Sequence, residues 1–103
     1  MRYESFPIPV KSSDTGVEAS RLVDRFTSKT IQVSGNFAGG WVVQLEGTVG
    51  ESGVWVSVGA AYAAAALVEV TPTYKKFRCN TTTKGTGLPP LVTFAGQDLR
   101  AGE

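Results

Sequence analysis

From Lys29 onward the chain alternates apolar and polar residues in short runs, each ended by a cluster of glycine, proline or asparagine. Thr30-Ile31-Gln32-Val33-Ser34-Gly35 puts Ile31 and Val33 on one side. Trp41-Val42-Val43-Gln44-Leu45-Glu46-Gly47-Thr48 puts Trp41, Val43 and Leu45 on one side and Gln44, Glu46 and Thr48 on the other. Alternation of this kind marks strands with one buried face, and it does not fit a helix. Asn36-Phe37-Ala38-Gly39-Gly40 supplies turn chemistry between the two runs, and Gly50-Glu51-Ser52-Gly53 predicts a hairpin loop into Val54-Trp55-Val56-Ser57-Val58.

The same pattern continues downstream. Leu67-Val68-Glu69-Val70-Thr71 is strand-like and is stopped by Pro72. Tyr74 to Asn80 points Phe77 and Cys79 inward and Lys76 and Arg78 outward, and Leu91 to Ala95 is a last strand. Short strands separated by turns every 8–12 residues or so predict an all-β fold, an antiparallel β-sandwich or barrel. Two stretches are less clear. Val17 to Phe26 fits either a short helix or a strand, and strand is favoured because everything after it is β. Ala60 to Ala66 is rich in a helix-favouring residue, which predicts a single helical turn or a flat edge region.

Before these runs, residues 1–14 predict an extended N-terminal arm. Pro7 and Pro9 disfavour helix, while Phe6, Ile8 and Val10 alternate on one side. Such a segment can stay frayed, lie on its own sheet edge, or reach a neighbouring subunit. Residues 15–99 form the expected sandwich domain and residues 100–103 a polar tail.

Composition excludes much chemistry. The chain has 103 residues, enough for one domain, with no histidine and one cysteine. That removes Ser-His and Cys-His nucleophiles, histidine metal ligands, zinc-thiolate clusters and internal disulfides. No pair of carboxylates stands out for acid–base work, and Gly85-Thr86-Gly87 is too short for a phosphate loop. We therefore expect no enzyme activity, no catalytic or metal-binding residues and no cofactor. The single Cys79 is expected to be a buried, inert thiol. Trp41 and Trp55 fall on apolar faces and are expected in the core or at an interface.

A net charge of +1 gives no footprint for nucleic acid. The uncharged run between Glu51 and Glu69 holds glycines, serines and strand-like alternation, so no membrane span is expected. The opening residues lack the apolar core of a signal peptide, which predicts synthesis in the cytoplasm. The near-neutral total is unevenly distributed. Thr30 to Thr73 contains no Lys or Arg, whereas Lys75, Lys76, Arg78 and Lys84 follow within ten positions. Lys75 and Lys76 are candidates for docking on an acidic protein surface.

Val33-Ser34-Gly35-Asn36-Phe37, Val43-Gln44-Leu45-Glu46-Gly47-Thr48 and Gly53-Val54-Trp55-Val56 together resemble small structural proteins of tailed bacteriophage. In that group a G-x-F turn precedes an L-x-G-S strand, and a glycine hairpin leads to a strand bearing Trp. Tyr74-Lys75-Lys76-Phe77-Arg78 is similar to their penultimate strand, with its aromatic-Arg pair, and Leu91 to Phe94 closes the domain. The resemblance spans roughly Thr15 to Gly96; Glu51-Ser52-Gly53 replaces the usual Asp-Gly turn, and the alanine run has no counterpart.

The resemblance implies a β-sandwich, frequently jelly-roll-like, acting without cofactors in the virion. The implied role is a head decoration (cement) protein on the capsid exterior that binds the major capsid protein across capsomer joints. Separately from the resemblance, exposed sheet edges and the apolar alanine surface invite self-association as a homotrimer or homodimer. Phe6, Ile8 and Val10 are then the arm's candidate capsid contacts, beside Lys75 and Lys76. Other destinations for such a sandwich are a tail, baseplate or head-fibre component, or a jelly-roll carbohydrate-binding module using Trp41 or Trp55.

Overall fold

The structure, a computed structural model, describes residues 2–35, 37–49, 53–70 and 74–98. Every regular element among them is a strand: β1 (Arg2–Ile8), β2 (Gly16–Val17), β3 (Arg21–Leu22), β4 (Ser28–Ser34), β5 (Val42–Thr48), β6 (Val56–Ser57), β7 (Ala66–Glu69), β8 (Lys76–Thr83) and β9 (Leu91–Asp98). They form two antiparallel sheets packed face to face. The first has the order β1-β9-β4-β7; the second has the order β2-β8-β5-β6, with β3 also paired to β8. The all-β sandwich expected from the alternation is the observed architecture.

Residue parity decides what lies between the sheets. Ile31 and Val33 of β4 and Val92 and Phe94 of β9 point inward from the first sheet. Val43 and Leu45 of β5 and Phe77 and Cys79 of β8 meet them from the second. Phe94 is the hub: its ring centroid lies 5.0 Å from Phe6, 4.9 Å from Phe26 and 6.3 Å from Phe77 across the sandwich. Deleting an aromatic side chain from such a position costs about 3–5 kcal/mol. Every fully buried side-chain N or O atom among the described residues has a hydrogen-bond partner.

The N-terminal segment takes the second of its three possible destinations, its own sheet edge. β1 pairs with β9 over its whole length, from Arg2 opposite Asp98 to Ile8 opposite Val92. Ile8 is 1% exposed, and Phe6 and Val10 pack against the same core. Of the candidate capsid contacts Phe6, Ile8 and Val10, Ile8 is thus buried within the sandwich, while Phe6 and Val10 are partly buried against it.

Val17 to Phe26 carries β2 and β3, with Val23 and Phe26 buried and Leu22 left 52% exposed. The Val23 amide donates to Lys75 O at 2.7 Å, which ties this stretch to the second sheet rather than to a helical ladder of its own. The alanine run forms no helix among the described residues. Tyr62 bridges to Val43 with N–O distances of 2.7 and 3.0 Å, and β7 starts at Ala66. Of the expected strand Val54 to Val58, Val56–Ser57 forms β6 opposite Gly47 and Glu46, and the Val58 amide donates to Leu45 O at 2.9 Å. The hairpin residues 50–52, Asn36, the Pro72 stop and the polar tail lie outside the described residues.

Candidate functional site

The outward face of the second sheet carries the most organised polar cluster. β5 and β8 are in register, with Glu46 opposite Arg78 and Gln44 opposite Asn80, so these four side chains project from neighbouring positions. Arg78 Nε donates to Glu46 Oε1 at 2.7 Å, and Asn80 Nδ2 donates to Glu46 Oε2 at 3.2 Å. The guanidinium also lies 4.2 Å from the centroid of the Trp55 ring. The side chains of Arg78 and Glu46 keep 24% and 15% exposure, so this is a half-buried pair rather than a freely solvated one. Short charge-assisted bonds and stacking over an indole fix the guanidinium in both plane and direction.

Glycine makes the cluster possible at one point. A Cβ at Gly47, next to Glu46 on β5, would stand 2.6 Å from Cδ1 of the Tyr74 ring. Any side chain there would push away the aromatic residue that leads into β8. The Leu45-Glu46-Gly47 motif therefore has a local cause: Leu45 fills the core, Glu46 holds Arg78, and Gly47 admits Tyr74. These are the residues on which the phage resemblance rests, and they converge with Trp55 and Arg78 in space.

The basic cluster read from the sequence does not form one patch. Arg78 is neutralised by Glu46. Lys84 follows the far end of β8, roughly 26 Å along the strand from Lys76. Lys75 is exposed and Lys76 half-buried beside it, opposite Leu22 and Thr48. Two adjacent cations at one end of the sheet are what remains of the basic cluster.

The tryptophans separate. Trp41 is 2% exposed, and its Nε1 donates to Thr86 O at 3.1 Å. It pins the Gly85-Thr86-Gly87 loop, where a Cβ at Gly85 would come within 2.5 Å of the indole. Trp41 is thus a buried anchor and offers no stacking surface. Trp55 is half-buried with Arg78 against its ring.

Among the described residues, three titratable groups are perturbed by burial. The Cys79 thiol is pushed up to about 12 by burial and secondarily by the Glu46 carboxylate, so it stays protonated. Burial, with Cys79 nearby, also raises the Tyr62 phenol. Lys29 was read from the sequence only as the residue before a strand, yet it is 2% exposed and shares the inward parity of Ile31 and Val33. Its Nζ donates to Tyr74 O at 2.5 Å, and desolvation lowers its pKa against the opposing pull of Asp24. No cluster of three or more Cys, Asp or Glu able to hold a metal occurs among the described residues. The arrangement is a half-buried polar surface held in place by its own hydrogen bonds and ring stacking. No family model, curated protein or solved structure matches the chain.

Proposed function

We propose that this chain is a non-enzymatic structural protein of a tailed-phage virion, a head decoration (cement) protein that binds the major capsid protein across capsomer joints. The observation that carries the reading is the convergence of the phage-like motifs. Glu46, Trp55 and Arg78 lie far apart in sequence and meet in one half-buried cluster on the outward face, while Leu45 and Phe77 of the same motifs lie buried on the other face. The strand order supports the jelly-roll form of the resemblance, since the outer strands of the chain pair in nested fashion: β1 with β9, β2 with β8.

The mechanism is adhesion. A sandwich with a packed aromatic core transmits load without needing a bound group. Lys75 and Lys76 are the docking cations, orienting the protein over acidic capsid surface more than adding affinity. Each contact need reach only standard size, about 1,200–2,000 Å², because repetition over the shell makes many modest contacts hard to lose together.

The test is to incubate the purified chain with matured, undecorated heads of the phage that encodes it and count bound copies by quantitative mass spectrometry. Hundreds of copies per head are expected, falling at least several-fold for the Lys75→Glu/Lys76→Glu double variant. Binding confined to tail fractions, at tens of copies or fewer, would replace the head assignment with a tail or baseplate one. No binding to any particle fraction would overturn the virion reading.

A further inference from the structure

The two outward faces of the sandwich use their polar side chains differently. On the second sheet Glu46, Arg78 and Asn80 are bonded to one another, and Gln44 Nε2 donates to Gly59 O at 3.2 Å. On the first sheet the register lines outward residues up in rows across the strands. Ser5, Ala95 and Thr30 form one row, and Pro7, Thr93 and Gln32 form the next. Ser5 and Gln32 are exposed, and Thr30 and Thr93 are half-buried. The side chains of these four polar residues make no hydrogen bond with any described residue. Their donors and acceptors stay open to solvent, spaced about 4.8 Å between strands and about 6.8 Å along them.

Charge and layout narrow what this face can hold. Among the described residues whose parity points them outward, Glu69 at the β7 edge is the one that carries charge. A phosphate-bearing polymer or an anionic membrane finds no cation there. A protein partner fits no better, because protein interfaces set an apolar centre inside a polar rim. This face has the reverse layout. Thr30, Thr93 and Gln32 hold its centre, with only the Ala95 methyl among them. The large apolar side chains stand at its margins: Tyr3 and Leu91 at opposite ends and Leu67 on β7, exposed by 77%, 61% and 72%. An apolar patch docked on that centre would desolvate the hydroxyls and the Gln32 amide without giving them partners.

We infer that the outward face of the first sheet binds a neutral polysaccharide chain. An uncharged polyol answers each feature in turn. Its hydroxyls donate and accept, as do the hydroxyls of Ser5, Thr30 and Thr93 and the amide of Gln32. Its C–H faces pack on an exposed apolar ring, which Tyr3 supplies one row beyond Ser5, opposite Gln97. Its extended form needs a flat floor, and serine, threonine and alanine side chains put no bulk in the way. The Tyr3 ring takes one end of the ligand. Gln32, two strands over and two rows on, reads hydroxyls about 17 Å away, a span that suits an oligosaccharide rather than a single sugar. Glu69 stands at the margin, clear of that path. Neither tryptophan is on this face, and Lys75 and Lys76 belong to the other layer, so the inference does not rest on the virion reading.

Isothermal titration calorimetry of the purified chain tests it, with hydroxyethylcellulose, soluble starch, dextran and galactomannan as neutral probes and dextran sulfate as the charged one. Binding to at least one neutral polymer is expected. Tyr3→Ala and Gln32→Lys are each expected to weaken it by about tenfold or more, with the melting temperature unchanged. Val17→Lys, an exposed position on β2 in the other layer, is expected to leave it as it was. Binding to none of the neutral polymers, or to dextran sulfate alone, would overturn the inference. So would binding that Tyr3→Ala and Gln32→Lys leave intact but Trp55→Ala abolishes, which would move the site to the second sheet. A dimer in sedimentation velocity that Gln32→Lys dissolves, with no polysaccharide bound, would give the face to a second copy instead.

Discussion

At one edge of the first sheet, β1 runs for seven residues beneath two arginines; at the other, β7 runs for four with no such cover among the described residues. Both strands put apolar side chains into the same core, so burial alone does not distinguish them. The difference lies in what the neighbouring segment contributes. Arg21 and Arg25 arrive from the stretch around β3: one caps the Pro7 carbonyl and stacks 4.4 Å from the Phe6 centroid, and the other pairs with Glu4 and stacks 4.3 Å from Phe26. β7 is preceded by alanines, which have nothing to reach back with. A strand's own sequence makes it pair; side chains from elsewhere decide whether it stops at one partner.

The largest effect is expected from removing the guarded edge altogether. Deleting residues 1–12 strips Phe6 and Ile8 from the core, each worth about 2–5 kcal/mol against a typical total of 5–15 kcal/mol. Loss of the cooperative thermal transition by circular dichroism is expected. Cys79 is a second readout: its buried thiol should react with Ellman's reagent in the deletion and remain slow in the full chain. An unchanged melting curve would mean that β1 is an ornament and the comparison between edges is empty.

Arg21→Ala/Arg25→Ala would sharpen the comparison by making β1 resemble β7. Loss of two cation–π contacts and two hydrogen bonds is expected to lower stability by about 1–3 kcal/mol in urea titration. It should also open the β1 edge to self-association visible by sedimentation. If no new association appears, Pro7 alone suffices as the guard.

Lys29 probes the strand to which β7 is fastened. Its folded pKa is lowered, so below that value the folded state bears the cost of an ammonium in a dry site. Between the lowered value and 10.5 the unfolded chain binds more protons, and stability from this group rises with pH. The stability of wild type relative to Lys29→Met is therefore expected to increase as pH climbs toward 10.5, in paired urea titrations. Taking the difference cancels Cys79, whose raised pKa makes the fold less stable as pH climbs above 9.0. A pH-independent difference would show the lysine to be solvated. The smallest effect belongs to Leu67→Lys, expected within about 0.5 kcal/mol because the position faces water.

Much of this was legible in the residues. Ile31 and Val33, Val43 and Leu45, and Phe77 and Cys79 point inward as their parity requires. What parity cannot say is where a face goes. Phe6 and Ile8 bury equally well against a neighbour or against their own sheet, and only the β1–β9 register settles it. Glu46 and Arg78 were both assigned outward, but their pairing depends on the β5–β8 register, which no local pattern encodes. Lys29 has the parity of a core residue, but its charge argues against burial, and the Tyr74 carbonyl that receives it comes from another strand's approach. Ala60 to Ala66 followed tertiary context over helix propensity, because Tyr62 is held by Val43.

The pairing of β1 with β9 has a consequence in time as well as in space. Arg2 lies opposite Asp98 and Ile8 opposite Val92, so β1 waits for residues 84 to 96 positions further on before it has a neighbour. Contacts this distant in sequence place the chain among slow folders, in the millisecond-to-second range. During synthesis, Phe6 and Ile8 leave the ribosome long before β9 exists. The second sheet, whose β5 and β8 pair without β9, can assemble first, and the last strand then closes the sandwich like a zip drawn from its far end.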